Sequence, residues 1–485
     1  MCKASNIEME VVSAGADQKE GMMNRGWGKL KAFPGKLKKL GKDDPRRIIH
    51  SLKVGLAITL VSLFYYFEPL YEGFGVSAMW AVMTVVVVFE FSVGATLSKG
   101  LNRGLATIVA GTLGFGAHRL ADLPGERGEP IILGLLVFLQ ASMMTFIRFF
   151  PQMKAKYDYG LLVFILTFCL ISVSGYRDDE VLDMAYQRVS TILIGGFTSM
   201  LVCIFICPIW AGHDLHNLVA NNIEQLACFL EGFGLEYFKT SEDEESNKTL
   251  LEGYKSVLHS KQTEESLAIF ARWEPFHGRF RFGHPWKQYL KIGSLTRKCA
   301  YRIEALHDYL NTGNQTPQEI RSKIQEEIIK VSSESVKGLK ELAMAIKTMT
   351  TPSAAILHIT RSKIAAKNLK FMLNTELCKE ISDLLEVIPA VTMASLLADV
   401  VSCSEKIAES VHELASLAKF KSVKPELVAE RKPSLRNAEC VHEVASVDKF
   451  KDVKPEVAAM KPSLRKMQSY SSINVHQSHH VITVE

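Results

Sequence analysis

The sequence lacks the patterns that mark a zinc site, a disulfide framework or an enzyme. Nine cysteines are scattered over 485 residues, with no Cys-x-x-Cys pair and no cluster of cysteine and histidine. That excludes a structural metal and a disulfide framework. There is also no nucleophile elbow, no HExxH segment and no pair of carboxylates in one helical frame. We therefore expect no enzyme activity, no cofactor and no metal.

A strong charge of one sign is missing as well, because the formal net charge is only +5. Such a balance does not favour nucleic acid as a partner. The N-terminus has no early apolar core followed by a small-residue cleavage site, so we expect no cleavable signal peptide. What the sequence does have is 47% hydrophobic residues, spread unevenly along the chain.

The two halves of the chain differ in how their apolar residues are arranged. The first half contains apolar runs long enough to cross a hydrocarbon core of about 30 Å. They lie at about 48–67, 74–92, 97–118, 130–148, 159–175 and 185–209. The second half has the periodicity of amphipathic helices, at about 249–271, 285–313, 316–348, 352–373 and 376–420. We predict an all-α protein with a six-helix membrane domain and a cytosolic helical domain.

The predicted domains are a cytosolic basic segment at 1–47, a transmembrane pore domain at 48–210, a cytosolic helical domain at 211–420 and a tail at 421–485. A segment at 411–436 recurs at 441–465, and Lys-Pro and Pro-Ser pairs interrupt both copies. We therefore expect a mostly disordered tail with a short internal repeat.

Loop charges predict the orientation of the membrane domain. Basic residues flank the first span and fill the loop between the fourth and fifth: Arg46, Arg47, Arg148, Lys154 and Lys156. The alternate loops are acidic, with Glu68, Glu72, Asp178, Asp179, Glu180 and Asp183. The positive-inside rule then puts both termini in the cytoplasm.

Three cations lie inside the apolar runs. Lys99 and Arg103 are four residues apart, so they share one helix face, and Arg188 lies in the sixth run. Charge at such positions is costly and usually faces a bundle interior or a wet cavity. Rings of basic side chains select anions in pores, so these residues indicate an anion path. The alternative is that they reach up to lipid headgroups.

Several separated motifs carry a resemblance to a known family. They are the run WAVMTVVVVFEFSVGATLSKGLNRGLAT, ARWEPFHG at 271–278, DPRR at 44–47, YDYG at 157–160 and CPIWAGHDLH at 207–216. Together they resemble the plant aluminium-activated malate transporter family. The resemblance covers about residues 42–310 continuously and the helices to about 420 more weakly.

The resemblance implies that Arg103 and Arg188 line the conduction path, with Lys99 at its inner mouth. It also implies a homodimer, and a part in transport for the Trp273-Glu274-Pro275 motif. A buried Glu274 beside Arg272 and the Arg279–Arg281 pair would hold helices in register beneath the pore. The alternative is a helix-ending Glu-Pro without a special partner.

The family name also points to a cation site on the outer face. Glu72, Asp179 and Asp183 lie in the predicted outer loops, and hard cations prefer oxygen ligands. These three are the candidate outer cation-sensing residues. Many members of the family do not respond to aluminium, so this site follows from the name alone.

We interpret the chain as a channel that passes malate and other organic or inorganic anions across a plant membrane. We expect contact with membrane lipids, and the plasma membrane rather than a vacuolar or other endomembrane. One alternative is an organic-acid carrier of the related aromatic-acid exporter type. Another is a membrane-anchored helical scaffold, which would leave the embedded arginines unexplained.

Overall fold

A computed structural model provides the coordinates. It describes residues 41–42, 44–66, 78–121, 123, 125, 128–174, 181–237, 251–281, 283–311, 317–377 and 387–422. These residues are predominantly helical, and they contain isolated β-bridges but no strand, which confirms the all-α prediction for them. By its internal contacts the chain divides into the units Met1–Lys424 and Pro425–Glu485. The second unit, which holds most of the predicted tail and the second copy of the repeat, lies outside the described residues.

Six helices form what we call the N-terminal bundle. They are α1 Arg46–Tyr66, α2 Ala78–Val88, α3 Val93–Ala121, α4 Glu129–Ile147, α5 Pro151–Ser174 and α6 Val181–Phe205. Each stands at one of the six predicted runs. Helix α3 packs on α5 and α6, α2 packs on α1 and α6, and α4 packs mainly on α5.

Small residues allow the close packing of this bundle. The buried face of α3 carries Gly100, Ala110 and Gly114, and a Cβ on Gly100 would lie 2.5 Å from Met200 Cε of α6. Small residues at helix contacts are typical of membrane bundles, where backbones approach closely. Many large apolar side chains are instead exposed, and α4 buries only Leu133.

Four described helices are long and apolar enough to cross a membrane: α4, α5 from Lys156, α6 from Tyr186, and Ile388–Leu417 near the end of the described chain. Helix α2 is apolar but shorter, whereas α1 and α3 carry charges, among them Lys53 and Arg103. Ile388–Leu417 belongs to a second bundle and buries its apolar residues there. Hydropathy alone therefore does not separate the two bundles.

The remaining helices form the C-terminal bundle. They are α7 Ala211–Tyr237, α8 Tyr254–Leu258, α9 Lys261–Ala271, α10 Trp286–Asn311, α11 Gln318–Thr348, α12 Ser353–Met372, which continues as a π-helical segment Leu373–Leu377, and α13 Ile388–Leu417. The helix predicted at 249–271 is interrupted at His259–Ser260, which separates α8 from α9. The last helix begins at Ile388 rather than near residue 376, and residues 378–386 lie outside the described part.

One continuous apolar core holds the C-terminal bundle together. Helix α7 packs along α11, α11 along α12, and α10 along α13. The fully buried side chains of α7 include Leu215, Ile223, Leu226 and Phe229, at the spacing that an amphipathic helix requires. This bundle buries most of its apolar residues in that core, and most of its described ion pairs lie at the surface.

Candidate anion path and the joint beneath it

The first predicted cation, Lys99, lies near the start of α3. Its ammonium forms an ion pair with Glu90, and it lies 5.7 Å from the centre of the Tyr159 ring. Glu90 belongs to the hinge before α3, where Thr96 Oγ1 accepts its backbone N–H at 3.0 Å. Both charged side chains are about one-third exposed. Lys99 is thus half-buried and compensated by a carboxylate.

Arg103 lies one turn further along the same face, and its residue is only 9% exposed. One terminal nitrogen donates to the Tyr159 hydroxyl at 3.0 Å. Its Nε is buried and has no hydrogen-bond partner among the described atoms. The partner of this guanidinium is therefore a neutral phenol on α5, and its charge is not balanced there.

Arg188 lies near the start of α6, and the described contact of its guanidinium is an aromatic ring rather than a hydrogen-bond acceptor. Its guanidinium carbon lies 3.5 Å from the centre of the Trp80 ring on α2, a cation–π contact. None of the carboxylates that the structure describes forms an ion pair with Arg188 or Arg103. A guanidinium stays charged at any physiological pH, so two positive charges remain within an apolar bundle.

These cations lie at successive depths rather than in one ring. Met200 of α6 approaches Gly100 of α3, Cys203 contacts Thr96 and Ile209 contacts Val93, so the two helices run in opposite directions. Arg188 precedes Met200 by twelve residues, and Arg103 follows Gly100 by three. At 1.5 Å per residue the two arginines are roughly 13 Å apart along the bundle, with Lys99 one turn below Arg103. Separate sites at increasing depth suit an ion that moves from one to the next.

Three residues that contact the cations were not predicted as members of the site: Glu90, Tyr159 and Trp80. Tyr159 and Trp80 lie within the motifs YDYG and WAVMT, so a signal was present. The sequence positions of aromatic residues within apolar runs do not predict which cation each of them contacts. Only the packing of α3 on α5 and of α2 on α6 brings these pairs together.

Glu274 joins the two bundles. Its carboxylate accepts the backbone N–H groups of Ala211 at 2.5 Å and Gly212 at 3.0 Å. These are the first residues of α7, whose N–H groups have no partner within the helix. A carboxylate at a helix N-terminus is also favoured by the helix dipole. Glu274 therefore caps the first helix of the C-terminal bundle.

The same carboxylate lies against the start of α3. The backbone N–H of Gly94 also bonds to Glu274, and a Cβ on Gly94 would lie 2.2 Å from the carbonyl oxygen of Phe270 and 2.9 Å from Glu274 Cγ. Val93 N donates to Ile209 O at 2.9 Å just after α6. The helix that carries Lys99 and Arg103 thus starts on the Trp-Glu-Pro segment.

The expected arginine partners of Glu274 are not its partners in the structure. Arg279 donates to the carbonyl of Thr348 at 3.1 Å instead, and neither Arg272 nor Arg281 forms an ion pair with Glu274. Main-chain N–H groups from distant segments reach the Glu274 carboxylate in place of these arginines. The expectation that Glu274 holds helices together remains, with backbone groups in place of arginines.

Burial raises the pKa of Glu274 to about 7, although its three backbone hydrogen bonds act in the opposite direction. His277 Nε2 lies 3.8 Å from this carboxyl group, and burial lowers the pKa of that imidazole. The His277 ring stacks on Trp210 with centroids 3.8 Å apart, and its Nδ1 lies 2.9 Å from the carbonyl of Pro275. Trp273 is half-buried next to Glu274.

The predicted outer cation-sensing residues lie largely outside the described part of the chain. Glu72 and Asp179 are not described, and of Asp183 only the helical backbone is. Among the described residues no group of three or more histidine, cysteine, aspartate or glutamate side chains is placed to hold a metal ion. The outer site therefore stays a prediction.

The fold and the site define an α-helical integral membrane protein with unbalanced cations inside its apolar bundle. Sequence comparison makes the class specific. The profile of the family described as aluminium activated malate transporter matches residues 38–380. The chain belongs to this family.

Curated relatives agree over most of their length. Aluminum-activated malate transporter 2 of Arabidopsis thaliana is 54% identical over 405 residues, which cover 82% of this chain and 79% of the relative. Aluminum-activated malate transporter 1 of the same plant is 52% identical, with 82% of each chain covered. Aluminum-activated malate transporter 1 of Triticum aestivum is 48% identical, with 80% of this chain and 86% of the relative covered.

Proposed function

We propose that the protein is a channel for malate and other anions in a plant membrane, with Arg103 and Arg188 lining the path and Lys99 at its inner mouth. The observation that carries this proposal is that both arginines lie inside the bundle without a described carboxylate partner. An anion passing along the path would supply the missing negative charge. Arginine suits a dicarboxylate because its planar fork bonds a carboxylate through two N–H groups.

The partners of the cations favour passage over tight binding. A phenol holds Arg103 in place and an indole holds Arg188, and neither neutralises the charge. Lys99 is partly neutralised by Glu90, which weakens anion binding at the mouth. Conduction needs sites that bind an ion but also release it. A graded series of weak sites meets that need.

We propose that α1 to α6 cross the membrane and that both termini face the cytoplasm. Arg46 at the start of α1 pairs with Asp214 at the start of α7, at 2.9 Å. The starts of α1 and α3 and the end of α6 therefore lie at the C-terminal bundle, which is the arrangement expected of six alternating spans. The basic loop residues Arg148, Lys154 and Lys156 support a cytoplasmic position for this end. Among plant membranes, we propose the plasma membrane.

We also propose that two copies assemble as a homodimer in contact with membrane lipids. Helix α4 exposes large apolar side chains such as Ile131, Phe138 and Phe146, and packs on one side only. Lipid or a second copy would cover this surface. Size-exclusion chromatography with light scattering on the full chain in detergent distinguishes one copy from two.

The test of the channel is current through membranes that contain the protein. Arg103→Gln and Arg188→Gln should each reduce malate current strongly at equal amounts of surface protein. Lys154→Gln is the matched control, since it removes one exposed positive charge outside the proposed path and should conduct like the parent. If either arginine variant conducts like the control, that residue faces lipid and is not part of the path.

The alternatives give different results in the same recordings. A carrier of the aromatic-acid exporter type would show malate flux that depends on a coupled gradient, without channel current. A membrane-anchored scaffold would show neither current nor malate flux. Malate efflux measured beside the current separates the three.

A further inference from the structure

A cavity lies in the C-terminal bundle next to Glu274, and no residue of the proposed anion path lines it. Its volume is about 420 Å³, within the size range of small-molecule sites. The segment after α9 and the start of α10 line it, and the end of α13 closes one side with Leu417. Buried rings of Phe280 and Trp286 form part of its wall.

Three cations line this cavity: Arg272, Arg281 and Lys287. All three side chains are exposed, and no carboxylate of the described residues pairs with any of them. The wall contains one described carboxylate, that of Glu274, which is bonded to three main-chain N–H groups and whose pKa burial raises to about 7. The nearby carboxylate of Glu413 is already paired with Lys291 at 2.7 Å. The cavity therefore carries an excess of positive charge.

We propose that this cavity binds a phosphate-bearing anion, either a free phosphorylated solute or the headgroup of an anionic phospholipid. A phosphomonoester carries about −1.5 to −2 charges and three acceptor oxygens at neutral pH, so it offers the three lining cations more charge and more acceptors than a single carboxylate does. Arginine forks bond phosphate oxygens in pairs, and lysine acts as a point charge. The apolar wall accommodates the uncharged part of the ligand.

The position of the cavity makes both sources accessible. Glu274 lies in its wall and at the start of α3, so the cavity is at the end of the C-terminal bundle that meets the N-terminal bundle. Basic pockets at the cytoplasmic ends of membrane helices are a common kind of headgroup site. A ligand held there would lie beside the contact through which the two bundles meet.

The test is binding of inositol 1,4,5-trisphosphate to the full chain in phosphatidylcholine nanodiscs, which does not depend on whether the protein conducts. The variant carries Arg272→Gln, Arg281→Gln and Lys287→Gln together. The control carries Lys298→Gln, Arg361→Gln and Lys367→Gln, three exposed cations outside the cavity. We expect saturable binding to the parent and the control, and at least about tenfold weaker binding to the cavity variant.

A second arm identifies the source of the phosphate. In nanodiscs that also contain phosphatidylinositol 4-phosphate, weaker binding of the soluble ligand by the parent means that the lipid headgroup occupies the cavity. Unchanged binding means that only a free solute reaches it. The proposal is overturned if the parent does not bind, if the control loses as much affinity as the cavity variant, or if malate displaces the ligand at equal concentration.

Discussion

The two bundles treat buried charge in opposite ways. In the C-terminal bundle, the fully buried Glu264 is paired with Arg297 and also accepts hydrogen bonds from Asn222 and Ser260. In the N-terminal bundle, Arg103 and Arg188 contact a phenol and an indole, and no described carboxylate. A buried charge that stabilises the fold needs a counterion and further hydrogen bonds around it. The incomplete network around Arg103 and Arg188 is what the proposed anion path requires.

The two bundles also differ in the size of the side chains that they bury. The C-terminal bundle buries large side chains such as Phe229, Tyr254 and Tyr289 in one core. The N-terminal bundle buries many small residues, above all on α3, together with a few large ones such as Phe164 and Phe168, and it exposes many large apolar side chains. Water drives the first arrangement, whereas in lipid close backbone packing replaces the hydrophobic effect between helices. Substitutions of the same kind should therefore have different effects in the two bundles.

The largest expected effect is that of Glu264→Ala. Removing this carboxylate leaves the Arg297 guanidinium, which is only 13% exposed, without its counterion. The loss of stability should be about 3–5 kcal/mol, seen as a large drop in the thermal unfolding temperature of the purified chain. Glu413→Ala is the control, since its pair with Lys291 is exposed to solvent and contributes little to stability. Equal shifts for both variants would contradict the contrast between a complete buried network and a solvated pair.

A smaller effect is expected from Gly94→Ala in α3. The added methyl group would meet the carbonyl oxygen of Phe270 at 2.2 Å and Glu274 Cγ at 2.9 Å. Relieving that overlap should cost about 1–3 kcal/mol and loosen the joint between the bundles. Gly104→Ala on the same helix is the control because nothing lies within 4 Å of its added methyl group. The thermal unfolding temperature and the amount of protein at the cell surface should fall for Gly94→Ala and not for Gly104→Ala.

The third prediction concerns pH and the variant Glu274→Gln. Burial raises the pKa of Glu274 from its ordinary 4.5 to about 7 in the folded protein. The folded state then binds this proton more tightly than the unfolded state, so Glu274 makes the protein less stable as pH rises from about 4.5 to about 7. Glutamine does not titrate. The unfolding temperature of the parent minus that of the variant should therefore fall across this window and stay level above about pH 8.

Two buried histidines make the folded protein less stable as pH falls, which is opposite to the effect of Glu274. Both histidines are present in the parent and in the variant. Burial lowers the pKa of His216 and of His284 to about 4. Each therefore destabilises the folded state as pH falls from about 6.5 to about 4. Because both remain in the variant, their effect cancels in the difference between parent and variant. A difference that does not change with pH would contradict a titrating Glu274.

The smallest expected effect is that of Tyr159→Phe in the proposed path. The substitution removes the acceptor that holds Arg103 at 3.0 Å and frees its guanidinium for an anion. We expect malate current to saturate at a concentration changed by up to about fivefold, the equivalent of one hydrogen bond. Tyr157→Phe in the same motif is the control, with an exposed ring. A shift shared by both variants would mean that the hydroxyl does not act through Arg103.

The sequence was sufficient to predict the helices and the cations inside them, but not the residues that contact these cations. Apolar runs predicted the six N-terminal helices to within about four residues, apart from α5, which begins at Pro151 rather than at 159. Length and hydropathy decide which segments can form such helices. The contact of Lys99 with Glu90 spans a hinge, and those of Arg103 and Arg188 depend on which helices pack together. No periodicity in one chain segment contains that information.

Glu274 shows a second limit of sequence reasoning. Its neighbours in the chain suggested arginine partners, yet it accepts main-chain N–H groups from the starts of two distant helices. A backbone donor is present at almost every residue, so it leaves no mark in the sequence. The terminal N–H groups of a helix lack partners, and a buried carboxylate that reaches them satisfies both sides.

Helix α13 has a consequence for how the chain is made. It is apolar enough to enter a bilayer by composition, yet Leu397, Ile407 and Leu414 are buried against other helices. Ribosomes produce the chain from the N-terminus, so the helices that cover α13 are complete before it emerges. Its hydrophobic face can therefore pack on an existing protein surface as soon as it is synthesised, which favours folding over insertion into a bilayer. Changing the order of synthesis by circular permutation would remove that advantage.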